Sequence, residues 1–389
     1  MTGLKTSHRT DITPFIAMDV VKAANALERC GRTVVHMEVG EPGTPAPRAV
    51  LERAAAMLNE GRIGYTESLG RDPLRARIAQ HYAHAYGAQV EAERVIVTTG
   101  SSGGFLLAFL AAFDAGDRVA LATPCYPAYP NLLAALGLEP VPVPTGPETR
   151  FALTPELVDA AAARAGPLAG LLIASPANPT GTMLSAAALD DLIGYCRGRR
   201  IRLVSDEIYH GITYDAPAVT VADLWDEAII VNSFSKYFCM TGWRIGWLVA
   251  PPNLIRPLER LAQNLFISAP ALAQEAAEAA LDCGAELDAY VARYRRNRDA
   301  LLRAFAGMGL DRTAPADGAF YVYADVSRFT DDSRDFCAAM LDEAGVAATP
   351  GIDFDRRRGT SFVRFSFAGS EDDISQATAR LKPWLDARS

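Results

Sequence analysis

The chain has 389 residues, half of them apolar, and a formal net charge of −8 at pH 7. This length exceeds what one compact core usually contains, so we expect a large domain and a smaller one. The negative charge argues against nucleic acid as the main partner and favours a soluble protein.

The cysteines predict neither a disulfide framework nor a metal site. They are scattered, with no Cys-x-x-Cys pair and no histidine cluster at metal-ligand spacing. The N-terminal segment lacks the apolar core of a signal peptide, and no later run is long and apolar enough to cross a bilayer. We therefore expect a cytoplasmic protein without a bound metal and without membrane association. The six cysteines are Cys30, Cys125, Cys196, Cys239, Cys283 and Cys337.

The first part of the chain predicts a helix, a short strand and a second helix. Apolar residues at helical spacing lie between Ala17 and Arg29, and Gly31 follows as a stop signal. A strand is expected around residues 34–37, before a turn at residues 40–43. Asp72 and Pro73 then indicate the N-cap and first turn of another helix.

From Arg94 to about Ala250, apolar strands alternate with helical stretches, a pattern typical of parallel crossover units. Three of the strands are followed at once by polar residues, where open α/β sheets bind their ligands. The polar clusters are Gly100–Gly104, Asn178–Gly181 and Asp206–Tyr209. Each cluster also has an ordinary structural interpretation: a strand-to-helix connection, a turn at Asn178-Pro179, a helix N-cap at Asp206, and a core aromatic at Tyr209.

The stretch from Ser233 to Arg244 carries the clearest chemical signal. Lys236 lies among small hydroxyl residues, and Arg244 follows eight positions later. A lysine forms a Schiff base with an aldehyde, whereas serine hydroxyls and an arginine suit a phosphate. The combination predicts a phosphorylated aldehyde cofactor. The structural alternative for this stretch alone is a solvated loop.

After Pro251 the pattern changes to long helical segments and a few strands, including residues 320–323 and 362–367. We therefore predict an α/β protein with a large, doubly wound, mostly parallel sheet domain at residues 45–280. A smaller α+β domain is expected at residues 281–389.

These motifs, in this order from Val39 to Ala368, resemble the class I aminotransferases, pyridoxal 5'-phosphate (PLP) enzymes of fold type I, the aspartate aminotransferase fold. The resemblance implies that residues 1–44 join the small domain. It also implies transamination between an L-amino acid and a 2-oxo acid.

The resemblance implies catalytic roles for three residues. Lys236 is expected to hold the cofactor aldehyde and then to move the proton from the substrate Cα as a base. Asp206 would face the ring nitrogen and keep it protonated, and Tyr209 would bond the phenolic oxygen of the cofactor. Asn178, a cofactor-binding residue, would bond the same oxygen. The alternative for Lys236 is a surface lysine.

The resemblance also implies the remaining cofactor contacts. Tyr126 would stack on the ring, and Tyr65 would reach the phosphate from the other subunit of a homodimer. The phosphate ligands would be Gly100, Ser101, Ser102, Ser233 and Arg244, with Ser235 as a further hydroxyl nearby. The first three would offer free amides at the start of a helix expected to begin near Gly103. The alternatives are a half-buried aromatic for Tyr126 and a locally packed one for Tyr65.

For the substrate, the resemblance implies that Arg364 binds the α-carboxylate, with Gly40 and Asn178 as further donors. The alternative for Arg364 is a structural ion pair. Residues 263–268 contain no Lys or Arg, which dicarboxylate-specific relatives use there. An apolar wall is expected instead, formed by Phe15, Ile16, Phe266 and Ile267.

We therefore expect a neutral or apolar amino donor, with 2-oxoglutarate or pyruvate as acceptor. Two alternatives stay open: a carbon–sulfur β-lyase of the same fold and an aspartate-specific aminotransferase. One arginine of the basic loop at residues 356–358 is a candidate for binding a distal carboxylate.

Overall fold

Strands and helices alternate along most of the chain. The computed structural model describes residues 4–61 and 63–388. The strands are β1 (Val35–His36), β2 (Val95–Thr98), β3 (Arg118–Thr123), β4 (Glu139–Pro144), β5 (Gly170–Ala174), β6 (Arg202–Asp206), β7 (Ile229–Ser233), β8 (Gly246–Val249), β9 (Tyr321–Asp325), β10 (Val346–Ala347), β11 (Thr349–Pro350) and β12 (Phe362–Ser366). The α-helices are α1 (Ile16–Arg29), α2 (Arg48–Glu60), α3 (Asp72–Tyr86), α4 (Gly100–Ala112), α5 (Ala128–Ala135), α6 (Pro155–Ala165), α7 (Ala186–Arg199), α8 (Pro252–Leu265), α9 (Ala271–Ala280), α10 (Gly284–Ala306), α11 (Ser333–Ala339) and α12 (Glu371–Asp386).

The large sheet has seven strands in the order β2-β8-β7-β6-β5-β3-β4. Its neighbours pair in parallel except at β8, which is antiparallel to both β2 and β7. The strand order departs from the chain order, so helical crossovers cover the sheet on both faces. The predicted doubly wound, mostly parallel sheet is confirmed.

Alternate residues of each central strand enter different cores. Leu171 and Ile173 of β5 pack into one apolar cluster, whereas Leu172 between them packs into another on the opposite side. Strands buried on both faces appear in a sequence as continuous apolar runs, and this explains the patterns around β5 and β6.

The rest of the chain forms smaller sheets. β12 lies between β9 and β11 and is antiparallel to both, while β1 pairs in parallel with β10. The short strand β1 therefore pairs with a C-terminal strand, while the assignment of residues 1–44 to the small domain stays a prediction. The boundaries at residues 44 and 280 stay predictions. None of the helices formed by residues 4–61 and 63–388 is long and apolar enough to span a membrane.

Two predicted helix starts are wrong by a few residues. Arg71 is the N-cap of α3, and Asp72 is its first residue, where the carboxylate bonds Arg75 Nη1 at 3.0 Å. α4 begins at Gly100 rather than near Gly103, so Gly100, Ser101 and Ser102 form its first turn. In both cases the polar or small residues that mark a helix start lie inside the first turn.

Candidate active site

The carboxyl ends of β5, β6 and β7 surround a cavity of about 220 Å³. Asn178 follows β5, Asp206 ends β6, and Lys236 follows β7, because strands that run in parallel end at the same edge. Residues from α1, α4, β9 and β12 complete the lining. The lining residues are Phe15, Ala17, Met18, Glu38, Val39, Gly40, Ser101, Ser102, Phe105, Tyr126, Tyr129, Asn178, Asp206, Ile208, Tyr209, Ser235, Lys236, Thr241, Arg244, Tyr321 and Arg364.

The Lys236 amine lies inside this cavity. Its Nζ donates to the carbonyl oxygen of Gly40 at 2.6 Å. The pKa of Lys236 is lowered to about 8, mainly by burial; Glu41 and Asp206 oppose the shift, whereas Arg364 and Arg244 contribute to it. An amine with this pKa is partly neutral at physiological pH, which suits a nucleophile or a base.

Asp206 is buried at the end of β6 and is bonded on both carboxylate oxygens. Oδ1 accepts from the backbone amide of Ile208 at 2.9 Å, and Oδ2 accepts from the hydroxyl of Tyr129. Burial raises the pKa of Asp206 to about 6, although these two donors lower it. The helix N-cap interpretation is wrong, because a turn follows β6.

Tyr209 and Tyr321 form a buried hydroxyl pair on the other side of the cavity. Their oxygens are 2.7 Å apart. The Tyr321 hydroxyl also lies against Gly40, where an added Cβ would come within 1.7 Å of it. Only glycine therefore fits at position 40 while Tyr321 keeps this place.

Arg364 is 2 % exposed and has no carboxylate partner among the described residues. Its Nη1 donates to Asn178 Oδ1 at 2.9 Å, its Nη2 donates to the carbonyl oxygen of Glu38, and its Nε has no partner in the described part of the chain. The guanidinium lies over the ring of Tyr321 at 4.4 Å from the ring centroid. A buried cation held by neutral groups alone is costly, so the site is prepared for an anion.

The first turn of α4 and the loop after β7 form the opposite end of the cavity. Ser101, Ser102, Ser235 and Arg244 line it, and Arg244 Nη2 would be 2.4 Å from a Cβ on Gly100. Free amides at a helix start, hydroxyls and a guanidinium together suit a phosphate.

Ser233 lies behind this end of the cavity. Its hydroxyl donates to Ile245 O at 3.0 Å and lies 2.8 Å from the hydroxyl of Ser235, which does line the cavity. The structure thus brings Ser235, rather than Ser233, to the surface of the cavity.

Two aromatic residues, Phe15 and Tyr126, line the cavity next to each other, whereas Tyr65 lies outside it. Tyr126 lines the cavity, and Phe15 contacts it edge-on with ring centroids 5.9 Å apart. Tyr65 is 83 % exposed in the single chain and is not among the lining residues.

The predicted apolar wall is only partly correct. Phe15 lines the cavity, but the other predicted members, Ile16, Phe266 and Ile267, do not. Ala17 and Met18 contribute instead, because α1 begins at Ile16 and turns its next residues towards the cavity.

The basic loop borders a different cavity. Its three arginines line a space next to β4 and the N-terminal segment rather than the space around Lys236. Arg358 is paired with Asp355 at 2.7 Å. This placement disfavours a distal carboxylate site formed by the loop.

Sequence reasoning missed Tyr129 and Tyr321 as site residues. Tyr129 lies three positions after Tyr126, in the first turn of α5, and the two rings contact each other edge-on with centroids 5.3 Å apart. Tyr321 lies in an alternating aromatic run that reads as an ordinary buried strand. Only the spacing from Tyr126 offered a signal, and only for Tyr129.

Comparison with known proteins gives one consistent family. Residues 32–381 match the family model described as aminotransferase class I and II. The chain is 48% identical to valine–pyruvate aminotransferase of Mycobacterium tuberculosis over 98% of both chains. A crystal structure of an aminotransferase from M. tuberculosis superposes with a TM-score of 0.96, at 48% identity over 99% of this chain and 100% of that one.

A more distant structural relative has the same architecture. Aspartate aminotransferase of Thermus thermophilus, solved with maleate, superposes with a TM-score of 0.91 at 32% identity, over 98% of this chain and 100% of that one. The sequence match, the shared fold and the geometry around Lys236 agree: the chain belongs to the class I and II aminotransferase family and is an enzyme that transfers amino groups.

Proposed function

We propose that the chain binds PLP through Lys236 and transfers an amino group from an aliphatic L-amino acid to a 2-oxo acid, with pyruvate as the favoured acceptor. The family is one that uses PLP, and the residues present fit it. A desolvated amine, a buried carboxylate and a phosphate-type end lie around one cavity. When bound, PLP supplies the electron sink for the electron pair released at the substrate Cα.

In this proposal the two ends of the cavity hold opposite ends of the cofactor. Asp206 faces the ring nitrogen, with Tyr129 keeping its carboxylate oriented and ionised. Tyr209 and Asn178 donate to the phenolic oxygen. The first turn of α4, with Arg244 and Ser235, binds the phosphate.

Arg364 is proposed to bind the substrate α-carboxylate. Its unpaired Nε and its lack of an acidic partner among the described residues support this role. Two parallel N–H bonds would fix the Cα–H bond of the substrate relative to Lys236. Nζ then takes the proton from Cα, for which its lowered pKa is suitable.

The lining of the cavity supports an aliphatic substrate. In the described part of the chain, the cationic residues that line it are Lys236, Arg244 and Arg364, each already assigned to the cofactor or the α-carboxylate. Apolar lining residues without another assigned role, among them Phe15, Ala17 and Met18, are left as walls for a substrate side chain. This observation carries the proposal, and the similarity to a valine–pyruvate aminotransferase agrees with it.

A screen of twenty amino donors, each with pyruvate and with 2-oxoglutarate, tests the substrate class. We expect valine and its aliphatic neighbours with pyruvate to give the highest kcat/KM. A strong preference for aspartate would overturn the proposed class. Release of pyruvate and thiol from cystathionine, without amino transfer, would identify a β-lyase instead.

The proposal includes a homodimer in which Tyr65 reaches the phosphate of the neighbouring subunit. Tyr65 carries 83 % of its surface exposed, and Leu58, Ile63 and Ile267 are 56 %, 51 % and 49 % exposed. Clusters of large exposed apolar residues are typical of protein interfaces. Light scattering should give twice the mass of the 41.7 kDa chain. The expected cytoplasmic location stays a prediction, which cell fractionation tests.

A further inference from the structure

The start of α1 has no capping side chain of its own. Phe15 is the N-cap residue and makes no side-chain cap bond, although the first amides of any helix need acceptors. Asp353 supplies them from a distant part of the chain. Its Oδ1 accepts from Ile16 N at 3.0 Å, and its Oδ2 accepts from Ala17 N at 3.1 Å. The carboxylate also lies at the positive end of the helix dipole.

The two bonds to Asp353 fix the backbone beside three residues that line the cavity. Phe15 precedes the first bonded amide, Ala17 carries the second, and Met18 follows. Phe15 in turn contacts the ring of Tyr126. The position of Asp353 therefore determines how far this wall stands from the proposed cofactor ring.

A second side chain holds the same segment. Asn131 on α5 donates from Nδ2 to Thr13 O at 3.1 Å. Asn131 thus attaches the segment before α1 to α5, and Asp353 attaches the first turn of α1 to the loop after β11.

The loop that carries Asp353 also contacts the carboxylate-binding arginine. Thr349 of β11 lies opposite Arg364 in the β11–β12 pair, and its Oγ1 accepts from Arg364 Nη2 at 3.3 Å. Only residues 350–352 therefore separate a contact of the proposed α-carboxylate site from the anchor of the side-chain wall. This short connection keeps the two substrate-binding regions at a fixed separation.

We propose that Asp353 is a specificity-determining positioning residue. By capping α1 it holds Phe15 and Met18 at the depth that fits a branched aliphatic side chain. It does not touch the reacting atoms. This inference rests on the proposed function for its substrate class.

The test compares Asp353→Asn with the unmodified holoenzyme. The asparagine keeps the shape but turns one acceptor into a donor facing a backbone N–H group, and it removes the negative charge. Kinetics are measured with alanine and with the larger amino acid that the donor screen ranks first. We expect KM for the larger substrate to rise at least tenfold, KM for alanine to change less than twofold, and kcat for both to stay within twofold.

Hydrogen exchange gives a readout independent of activity. Amides of residues 16–20 should exchange at least tenfold faster in Asp353→Asn and, to a smaller extent, in Asn131→Ala. The matched control is Ser185→Ala, which removes the cap bond to Ala188 N at the start of α7. It should alter exchange only at its own helix and leave the ratio of the two KM values unchanged.

The outcomes separate the two proposals. Equal effects on alanine and on the larger substrate, or unchanged exchange at residues 16–20, would overturn the role of Asp353. A donor screen led by aspartate would overturn the proposed substrate class and leave the test of Asp353 intact, because aspartate then serves as the larger substrate.

Discussion

The two ends of the substrate cavity are built in different ways. Around Asp206 and Lys236, buried polar groups lie at the edge of the large sheet, each with a fixed partner. Around Phe15 and Met18, the wall comes from the first turn of one helix, and 56 % of Met18 is exposed. We call these regions the rigid end and the side-chain end. The rigid end suits chemistry that must place protons accurately, whereas the side-chain end is held by contacts from Asp353 and Asn131 and can vary without disturbing the rigid end.

We expect the largest loss of activity from a substitution at the rigid end of the cavity, around Asp206 and Lys236. Lys236→Met keeps the apolar length of the side chain but removes the amine, so turnover should fall by more than ~10³-fold and the visible absorbance of bound cofactor should be lost. Because a buried ammonium is removed, the apoprotein should unfold at the same or higher urea concentration. Lys382→Met, at an exposed lysine paired with Asp386, is the control and should keep both properties. A coloured, active Lys236→Met protein would refute the assignment.

Replacement of Arg364 tests whether the substrate α-carboxylate binds to this residue at the rigid end. Arg364→Gln should lower kcat/KM for amino acids by about 10²–10³-fold, since a buried charge pair of this kind contributes about 3–4 kcal/mol. An amine without a carboxylate, such as isobutylamine, should lose little. Equal losses for valine and isobutylamine would contradict the role.

Arg298→Gln is the matched control for Arg364→Gln. Arg298 is largely buried but is paired with Asp215 and Asp299. Its replacement should lower the melting temperature and leave the preference for carboxylate-bearing substrates unchanged.

Tyr129→Phe should weaken cofactor binding at the rigid end without abolishing it. Loss of its hydroxyl removes a donor that holds the pKa of Asp206 down, so less Asp206 is ionised at neutral pH. Cofactor affinity should fall by about tenfold at pH 7, as for a lost hydrogen bond to a charged group. The loss should be larger at pH 6 and smaller at pH 8, because the carboxylate ionises as the pH rises.

The control for Tyr129→Phe is Tyr195→Phe. Tyr195 also donates to an aspartate, Asp159 at 3.3 Å, but on α7 and away from the cavity. Spectroscopic titration of the apoprotein with PLP measures both variants. A loss of affinity that does not depend on pH would show that Tyr129 acts only through packing.

The lowered pKa of Lys236 predicts that the rate of cofactor uptake depends on pH, with a change about as large as the loss of affinity expected for Tyr129→Phe. Only the neutral amine attacks an aldehyde, and with a pKa of about 8 the neutral fraction rises with pH through that value. The rate at which the apoprotein takes up PLP should therefore increase about tenfold from pH 7 to pH 9 and then level off. Stopped-flow absorbance measures it. A midpoint near the ordinary lysine value would show that Nζ is more hydrated than its burial indicates.

The rigid end was largely predictable from the sequence, because its residues directly follow apolar runs. Asp206 is the last residue of β6 and Asn178 lies in the loop after β5, so their place at the sheet edge follows from strand direction alone. The choice between Ser233 and Ser235 was not predictable, since strand alternation stops where β7 ends. The antiparallel direction of β8 was hidden too, because a strand buried on both faces gives the same apolar run in either direction.

The side-chain end was mostly beyond sequence reasoning. Asp353 lies 337 positions from Ile16, and nothing local links them. The sequence gives one indication of this contact, the lack of a local capping residue. Pro14 and Phe15 precede α1 and neither has a capping side chain, so the cap of α1 must come from elsewhere. Local patterns predict elements and their edges, whereas contacts between distant loops depend on how the domains pack.

The smallest expected effect concerns the hydroxyl of Tyr321. If Tyr209 donates to the phenolic oxygen of PLP, then Tyr321 must donate to Tyr209 across their 2.7 Å contact, and the chain of donors strengthens both bonds. Tyr321→Phe should therefore raise the pH at which the visible absorbance of the holoenzyme changes, by roughly 0.5 unit, and lower kcat/KM about threefold.

The control lies on the same strand. Tyr323 is buried and its hydroxyl has no partner among residues 4–61 and 63–388, so Tyr323→Phe removes the same atom without breaking a bond seen there. A pH titration of absorbance that shifts only in Tyr321→Phe would place Tyr321 in the rigid end, because the hydroxyl then acts through Tyr209 on the cofactor. Equal shifts in the two variants, or none, would mean that the Tyr209–Tyr321 pair only supports the packing of β9 against the cavity.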